Sequence, residues 1–543
     1  MHLDEPHRHG EPLSRDGSLE RLSSTRFDVI VVGGGINGAV SALSLSAHGL
    51  KVGLVEADDF ASGTSQESSN MIWGGFKYLE SYDIRLVAGL CRSRNRLAAA
   101  YPTRILETRF MAVLEQGAPF APWFAALGAN VYWGLGRLRT IRPRHRSKST
   151  IHRLEPAVAT AGIRGGIEYS DYLLADNDSR FVSELVIDAE RHGAVVANYV
   201  KLESAELGTG VWNLALRDRS TGSTFEASAQ VLVNAAGPLV SNVGTLTESR
   251  TSSRLVFSKG VHLIVPQVTD SGRILAFFDD AERLFYVLPM GHRSVIGTTD
   301  TPVDDPEVTV TGADRSFLLE QVSQRLDLDR NLEASDVISE RCGVRALVVP
   351  PGGSGRRRDW TELSRRHAVE TDEGRRVVSI LGGKLSDCLN VGAEVVDAVR
   401  LCGLRPMPPA QKWYGEPPED EQRSALSRAA GLDVTSDVAS VMWRRHGRRM
   451  DEVLDLLDGD ADLGGPLGEL DPLSRADVMV MGRHERILRP SDLLRRRTMF
   501  SMLHRPDTVA ADKGVRDAIR MILGDEGLRA MDADPAPTDD LKA

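Results

Sequence analysis

Gly33, Gly35 and Gly38 stand at G-x-G-x-x-G spacing, and Glu56 follows 18 residues after the last of them. Glycines so spaced suit a diphosphate. The first permits a tight turn, the second lets a pyrophosphate approach the backbone, and the third lets a helix pack closely on a strand. A carboxylate at the position of Glu56 can accept hydrogen bonds from a ribose. The chemistry on offer is dinucleotide binding, and the pattern alone does not separate FAD from NAD.

These residues need a βαβ unit to position them. Val29 to Val32 form a short β-branched run, as a buried parallel strand should. Residues 39–47 have helical composition, Gly49 can stop that helix, and residues 51–55 read as a second strand ending at Glu56. The helix N-terminus offers free N–H groups and a partial positive charge to phosphates. A glycine turn in an α/β fold that binds no nucleotide is the alternative, against which strand, turn, helix, strand and acid all agree.

The continuation carries more. Residues 57–80 read ADDFASGTSQESSNMIWGGFKYLE, and further along stand Val231 to Gly237, Lys259-Gly260-Val261-His262, Gly297-Thr298-Thr299-Asp300, Cys342-Gly343-Val344-Arg345, Leu363-Ser364-Arg365 and Gly382-Gly383-Lys384-Leu385. In type and order these closely resemble the FAD-dependent glycerol-3-phosphate dehydrogenases and oxidases, within the wider D-amino-acid oxidase superfamily. The similarity runs over roughly residues 26–525 and reaches Arg445-His446-Gly447 and Asp492 to Arg497.

The resemblance implies an α/β fold: a Rossmann-type FAD-binding domain interleaved with an antiparallel-sheet substrate domain, plus an all-α C-terminal domain. Residues 1–25 are expected to be a flexible arm. Residues 26–404 hold the two interleaved domains, with the substrate sheet mainly at 255–360. Residues 405–526 form the helical domain and 527–543 a disordered tail. FAD contacts are implied for Gly33, Gly35, Asn37, Gly38, Glu56, Ser62, Thr64, Ser65, Ser68, Ser69, Gly74, Gly75, Ala235, Gly237, Gly383, Lys384 and Leu385.

The reaction so implied removes a hydride from a carbinol carbon and a proton from its hydroxyl, converting glycerol 3-phosphate to dihydroxyacetone phosphate, with electrons passing to quinone. Arg345 and Lys384 are implied to face the substrate. Arginines at 345 and 365 can grip a phosphate through paired N–H donors. His262 is the candidate proton acceptor, because an imidazole exchanges a proton near neutral pH. Lys77, Tyr78, Arg365 and Asp300 complete the expected substrate site. Three departures bear on the substrate: the family's HGG is Trp73-Gly74-Gly75, its following arginine is Lys77, and a threonine and Tyr-Arg pair after Lys384 are replaced within Ser386 to Asn390. Another hydroxylated or phosphorylated substrate, or oxygen as acceptor, is the alternative reading.

The formal charge of −10 argues against general nucleic-acid binding. Cys91, Cys342, Cys388 and Cys402 form no CxxC pair, so no zinc or iron–sulfur site is expected from them. No secretory signal is visible, and a cytoplasmic location at the inner face of a membrane is expected. Residues 118–136 carry no charge and include Phe120, Trp123, Phe124, Tyr132 and Trp133, while 137–153 hold seven Lys or Arg and no acid. Pro119, Pro122 and Gly128 spoil a spanning helix, yet an aromatic segment beside a basic run suits docking on anionic lipid. Phe285 to Leu288 and Ser294 to Gly297 predict a hairpin, and helical spacing of apolar residues is visible over 436–445, 450–457 and 491–503.

Overall fold

The computed structural model describes residues 13–79, 83–118, 120–278, 283–352, 367–470 and 472–533. Two sheets organise the first three quarters of the chain. The nucleotide sheet has a parallel centre in which Val377–Leu381, Thr224–Asn234, Arg26–Val32, Val52–Val55 and Val195–Ala197 lie side by side. Strand period decides what each residue meets. Val29 and Val31 face one layer with the helices Ile36–Ala47, Asp178–Arg191 and Cys388–Leu401. Ile30 and Val32 face the other, where Trp212 and Leu214 of an antiparallel ribbon pack with Leu22 and with Phe27 at the start of the strand.

Leu22 belongs to the helix Arg15–Ser24, capped by Ser14 and held by an Arg15–Asp218 ion pair of 2.7 Å. This part of the expected flexible arm is therefore ordered, because Leu22 finds a fully buried seat on the sheet. At the other end Lys513–Ala533 is helical on both sides of a break at Gly524 (φ +66°), and its second part runs through residues 527–533, expected to be tail, with Leu528 and Met531 buried in the helical core.

The second sheet is mainly antiparallel. The predicted hairpin is present as Leu284–Met290 and Arg293–Gly297, followed in the sheet by Arg254–Pro266 and its partners Ser339–Val349 and Thr301–Val303. It extends beyond the expected 255–360. The strands Ile105–Glu115 and Ile163–Leu174 join it by a parallel contact with Ile274–Phe278, and Met71–Ile72 ends it. These earlier strands share the sheet because their apolar residues, Met111, Val113 and Ile163, complete the same core as Val261, Leu263 and Ile296. Val377–Leu381 returns to the nucleotide sheet beside Thr224–Asn234.

From Glu419 onward the described residues are helical, including Ser436–His446, Met450–Gly459 and Arg475–His484. The segment 491–503 is not one helix: a six-residue wide turn, Asp492–Arg497, precedes a short helix Phe500–Leu503. That turn points Arg496 and Arg497 inward at Asp59, and Arg496 also pairs with Asp492. Likewise His446 Nε2–H donates to the Asp477 carboxylate, 2.8 Å away in the buried interior. The two C-terminal motifs thus hold the helices together and onto the nucleotide domain.

Candidate active site

One cavity of about 2130 Å³ opens where the two sheets meet. Single-ligand pockets are commonly about 300–1,000 Å³, so this one has room for a dinucleotide and a small substrate together. Gly33, Gly35, Asn37 and Glu56 line one end. Gly33 has φ +108°, and a Cβ there would lie 2.6 Å from the Ala235 carbonyl oxygen, so only glycine fits between the two strands. Gly38 does not line the cavity: its missing side chain lets the helix lie against the Gly33 carbonyl. Ser65 Oγ accepts from Ile36 N–H at 3.0 Å, at the helix N-terminus where a pyrophosphate is expected.

Glu56 is held by two backbone donors, Gly34 N–H at 2.5 Å and Asp58 N–H at 2.9 Å. Burial pushes its carboxyl up to about 7, against the pull of those donors. Ribose hydroxyls would supply the donors that favour its ionised form. Asn37 Nδ2 donates to the Gly382 carbonyl at 2.9 Å, which ties the first helix to the turn carrying Gly383 and Lys384. Its Oδ1 is buried and has no hydrogen-bond partner among the described residues.

Ser62, Thr64, Ser65, Ser68 and Ser69 all line the cavity, as do Ala235, Gly237, Gly383 and Leu385. Thr64 is fixed to the Val344 carbonyl at 3.1 Å, and Ser68 N–H to the buried Asp178 at 2.8 Å. This glycine turn, buried acid and small hydroxyl wall fit FAD.

Opposite stand the cations. Arg345 lies across Gly260, donates to Thr298 Oγ1 at 2.8 Å and pairs with Asp300 at 3.3 Å. Asp300, which also accepts from Ser258 Oγ, therefore orients Arg345. Lys384 Nζ sits 4.9 Å from the Tyr78 ring centre and 3.4 Å from its hydroxyl, and Trp73 packs on the same ring at 5.7 Å. Lys77 lines the cavity beside them. Arg365 lies outside the described residues.

His262 is placed behind this wall. It is 3% exposed and does not line the cavity, and its ring packs on Gly297, next to cavity-lining Thr298. Burial, with Arg345 and Arg341 nearby, lowers its pKa to about 3, so the ring is neutral at physiological pH. Nδ1 has no partner among the described residues. Gly74 and Gly75, expected to touch FAD, do not line the cavity either. Sequence reasoning did not single out Tyr286, Glu67 or Arg495, which do. Glu67 accepts from Cys342 N–H and from Arg495, both at 2.9 Å, and so joins three distant segments. No local spacing signals that. The divergent stretch after Lys384 has its own anchoring: Asp387 accepts from Ser93 at 2.9 Å and Asn390 at 2.5 Å, with His367 at 2.9 Å.

Comparison with known proteins agrees with this geometry. Residues 28–379 match the family "FAD dependent oxidoreductase", and residues 395–525 match "C-terminal domain of alpha-glycerophosphate oxidase". The aerobic glycerol-3-phosphate dehydrogenase of Staphylococcus haemolyticus is 29% identical over 510 residues, covering 90% of this chain and 89% of that one. The glycerol-3-phosphate dehydrogenase of Mycobacterium leprae is 28% identical over 523 residues, covering 94% and 88%. In fold, the Bacillus halodurans glycerol-3-phosphate dehydrogenase complexed with FAD superposes with a TM-score of 0.72 at 24% identity, covering 94% of this chain and 93% of that one. This chain belongs to the FAD-dependent oxidoreductase family, as an enzyme that ends in a domain of the alpha-glycerophosphate oxidase type.

Proposed function

We propose that the enzyme oxidises sn-glycerol 3-phosphate to dihydroxyacetone phosphate and passes the electrons to a quinone at a membrane surface. The observation that carries this reading is the meeting of a dinucleotide cradle with two cations, Arg345 and Lys384, in one cavity. Relatives named for this activity along nearly the full chain support it. Bound FAD supplies the hydride acceptor.

The chain's own residues do the rest. Arg345 and Lys384 bind the phosphate, Asp300 aims Arg345, and Tyr78 carries Lys384 on its ring face. His262, kept neutral behind the wall at Thr298, takes the hydroxyl proton through one intervening water and not by direct contact. A phosphate dianion beside Arg345 offsets that arginine's repulsion and raises the proton affinity of the ring when substrate is present. Trp73 favours a second reading, a different polyol phosphate, because it brings an indole where the family has an imidazole.

The membrane part of the reading rests on the helix Pro122–Leu135. Trp123, Leu127 and Val131, at successive i, i+4 positions, are 69%, 55% and 42% exposed. Arg137, Arg139, Arg142 and Arg144 follow on the surface. Among the described residues no helix is long and apolar enough to cross a membrane, so the patch would lie on the lipid.

The test is anaerobic addition of glycerol 3-phosphate to the FAD-loaded protein. Rapid bleaching of the flavin near ~450 nm, with dihydroxyacetone phosphate formed, is expected. A flavin that stays oxidised with glycerol 3-phosphate but bleaches with another polyol phosphate would replace the substrate and keep the site.

A further inference from the structure

Trp73, Lys77 and Tyr78 line the cavity, yet Gly74 between them faces the interior. There it meets a buried polar cluster. Gly74 N–H lies 3.3 Å from both carboxylate oxygens of Asp171. Asp171 also accepts from Arg94 Nη1 at 2.8 Å and from the Tyr132 hydroxyl at 2.6 Å, and Arg94 donates to Tyr132 at 3.1 Å. All three side chains are buried, and none lines the cavity.

The three come from separate elements: the helix Ile84–Ala100, the helix Pro122–Leu135 and the strand Ile163–Leu174. A buried ion pair contributes little stability compared with apolar residues of the same volume. Its distinctive effect is directional, because every donor must meet its acceptor. The fit at Gly74 is correspondingly tight. A Cβ there would collide with the Tyr132 hydroxyl and lie 3.0 Å from Arg94 Nη1. The next residue starts the turn that presents Tyr78, whose N–H donates to the Gly75 carbonyl at 2.9 Å. Tyr78 in turn supports Lys384.

We propose that Asp171, with Arg94 and Tyr132, is a positioning group that anchors Gly74 and thereby sets Trp73, Lys77 and Tyr78 against Lys384 in the substrate site. This rests on the reading that the 73–78 segment faces the substrate. It accounts for the glycine at position 74 by an inward contact instead of a flavin contact.

The mildest probe is Tyr132→Phe, which removes one hydroxyl and keeps both the ring and the Arg94–Asp171 pair. In the FAD-loaded protein, amide hydrogen exchange over residues 71–79 should quicken while exchange in Arg26–Val32 stays as in the parent protein. The KM for glycerol 3-phosphate should rise about tenfold, the scale of one hydrogen bond to a charged group, with kcat changed less than about twofold. Gly74→Ala should raise KM further, and adding Tyr132→Phe to it should recover part of that loss, since the colliding oxygen is gone. Unchanged exchange over 71–79, or losses that simply add in the double variant, would overturn the proposal. If glycerol 3-phosphate is not the substrate, the parent protein shows no KM to compare, and the exchange measurement still decides.

Discussion

Arg497 closes on Asp59 with two hydrogen bonds, Nη1 to Oδ2 at 2.6 Å and Nη2 to Oδ1 at 2.8 Å, both side chains fully buried. Arg496 adds a third at 2.6 Å. Asp59 stands three residues after Glu56, so the helical domain grips the turn that follows the ribose acid. Asp59→Asn should leave the buried Arg497 without its paired carboxylate, and Arg496 with Asp492 alone, and cost about 3–5 kcal/mol of stability. FAD should bind more weakly as well. Thermal unfolding with and without added FAD checks both, and a variant matching the parent in each would show that the grip is dispensable.

Glu56 predicts a pH dependence of FAD binding. Its folded-state pKa, about 7, lies above the ordinary 4.5. The protonated form is therefore favoured in the FAD-free protein, and the stability this contributes is present below pH ~4.5 and lost as pH rises through ~7. Ribose donors favour the carboxylate, so FAD should bind more tightly at pH 8 than at pH 5.5. Titration by flavin fluorescence at the two pH values reads the difference, and Glu56→Gln should flatten it.

Arg345→Met and Lys384→Met should each raise the KM for glycerol 3-phosphate by about 10–100-fold, as expected for losing a charge-assisted contact. FAD content should hold for Arg345→Met. Steady-state kinetics with a soluble electron acceptor gives the comparison. An unchanged KM in both variants would remove the phosphate-binding role.

His262→Gln should lower kcat by about 10²–10⁴-fold, the usual contribution of a positioned proton acceptor. Stability carries a second signature. The folded pKa, about 3, lies below the ordinary 6.5, so the ring's contribution is complete above pH ~6.5 and is lost as pH falls toward ~3. Denaturant midpoints of the variant should fall less steeply on the acid side. A normal kcat together with the flatter acid limb would make His262 structural only.

Trp123→Glu combined with Leu127→Glu should abolish binding to anionic vesicles while leaving turnover with a soluble acceptor unchanged. The two positions are exposed and touch no part of the cavity. Co-sedimentation with phosphatidylserine vesicles is the measurement, and equal binding by variant and parent would discard the docking face.

The βαβ unit was legible because its signals are local. A β-branched run alternates across one strand, glycine spacing defines one turn, and Glu56 ends the next strand. The hairpin around Met290 was legible for the same reason, as were Arg345, Lys384 and Tyr78 through motifs matched in order. Residues 15–24 were not, since their polar composition hides an anchor made of one fully buried residue, Leu22, with Leu19 and the distant Arg15–Asp218 ion pair. Gly74 and Gly75 were less legible, and neither lines the cavity, because a glycine pair says that backbone comes close to something without saying to what.

By itself the sequence determined the dinucleotide fold, the family and most of the cavity wall, since each rests on contacts within a short window or on a motif of fixed spacing. The tertiary structure decided which way those residues face. It placed His262 behind the wall, turned Gly74 toward Asp171 and closed Arg497 on Asp59, partners 97 and 438 residues apart in the chain. Such pairs leave no periodicity to read, because the geometry that joins them exists only once both sheets and the helical domain have packed.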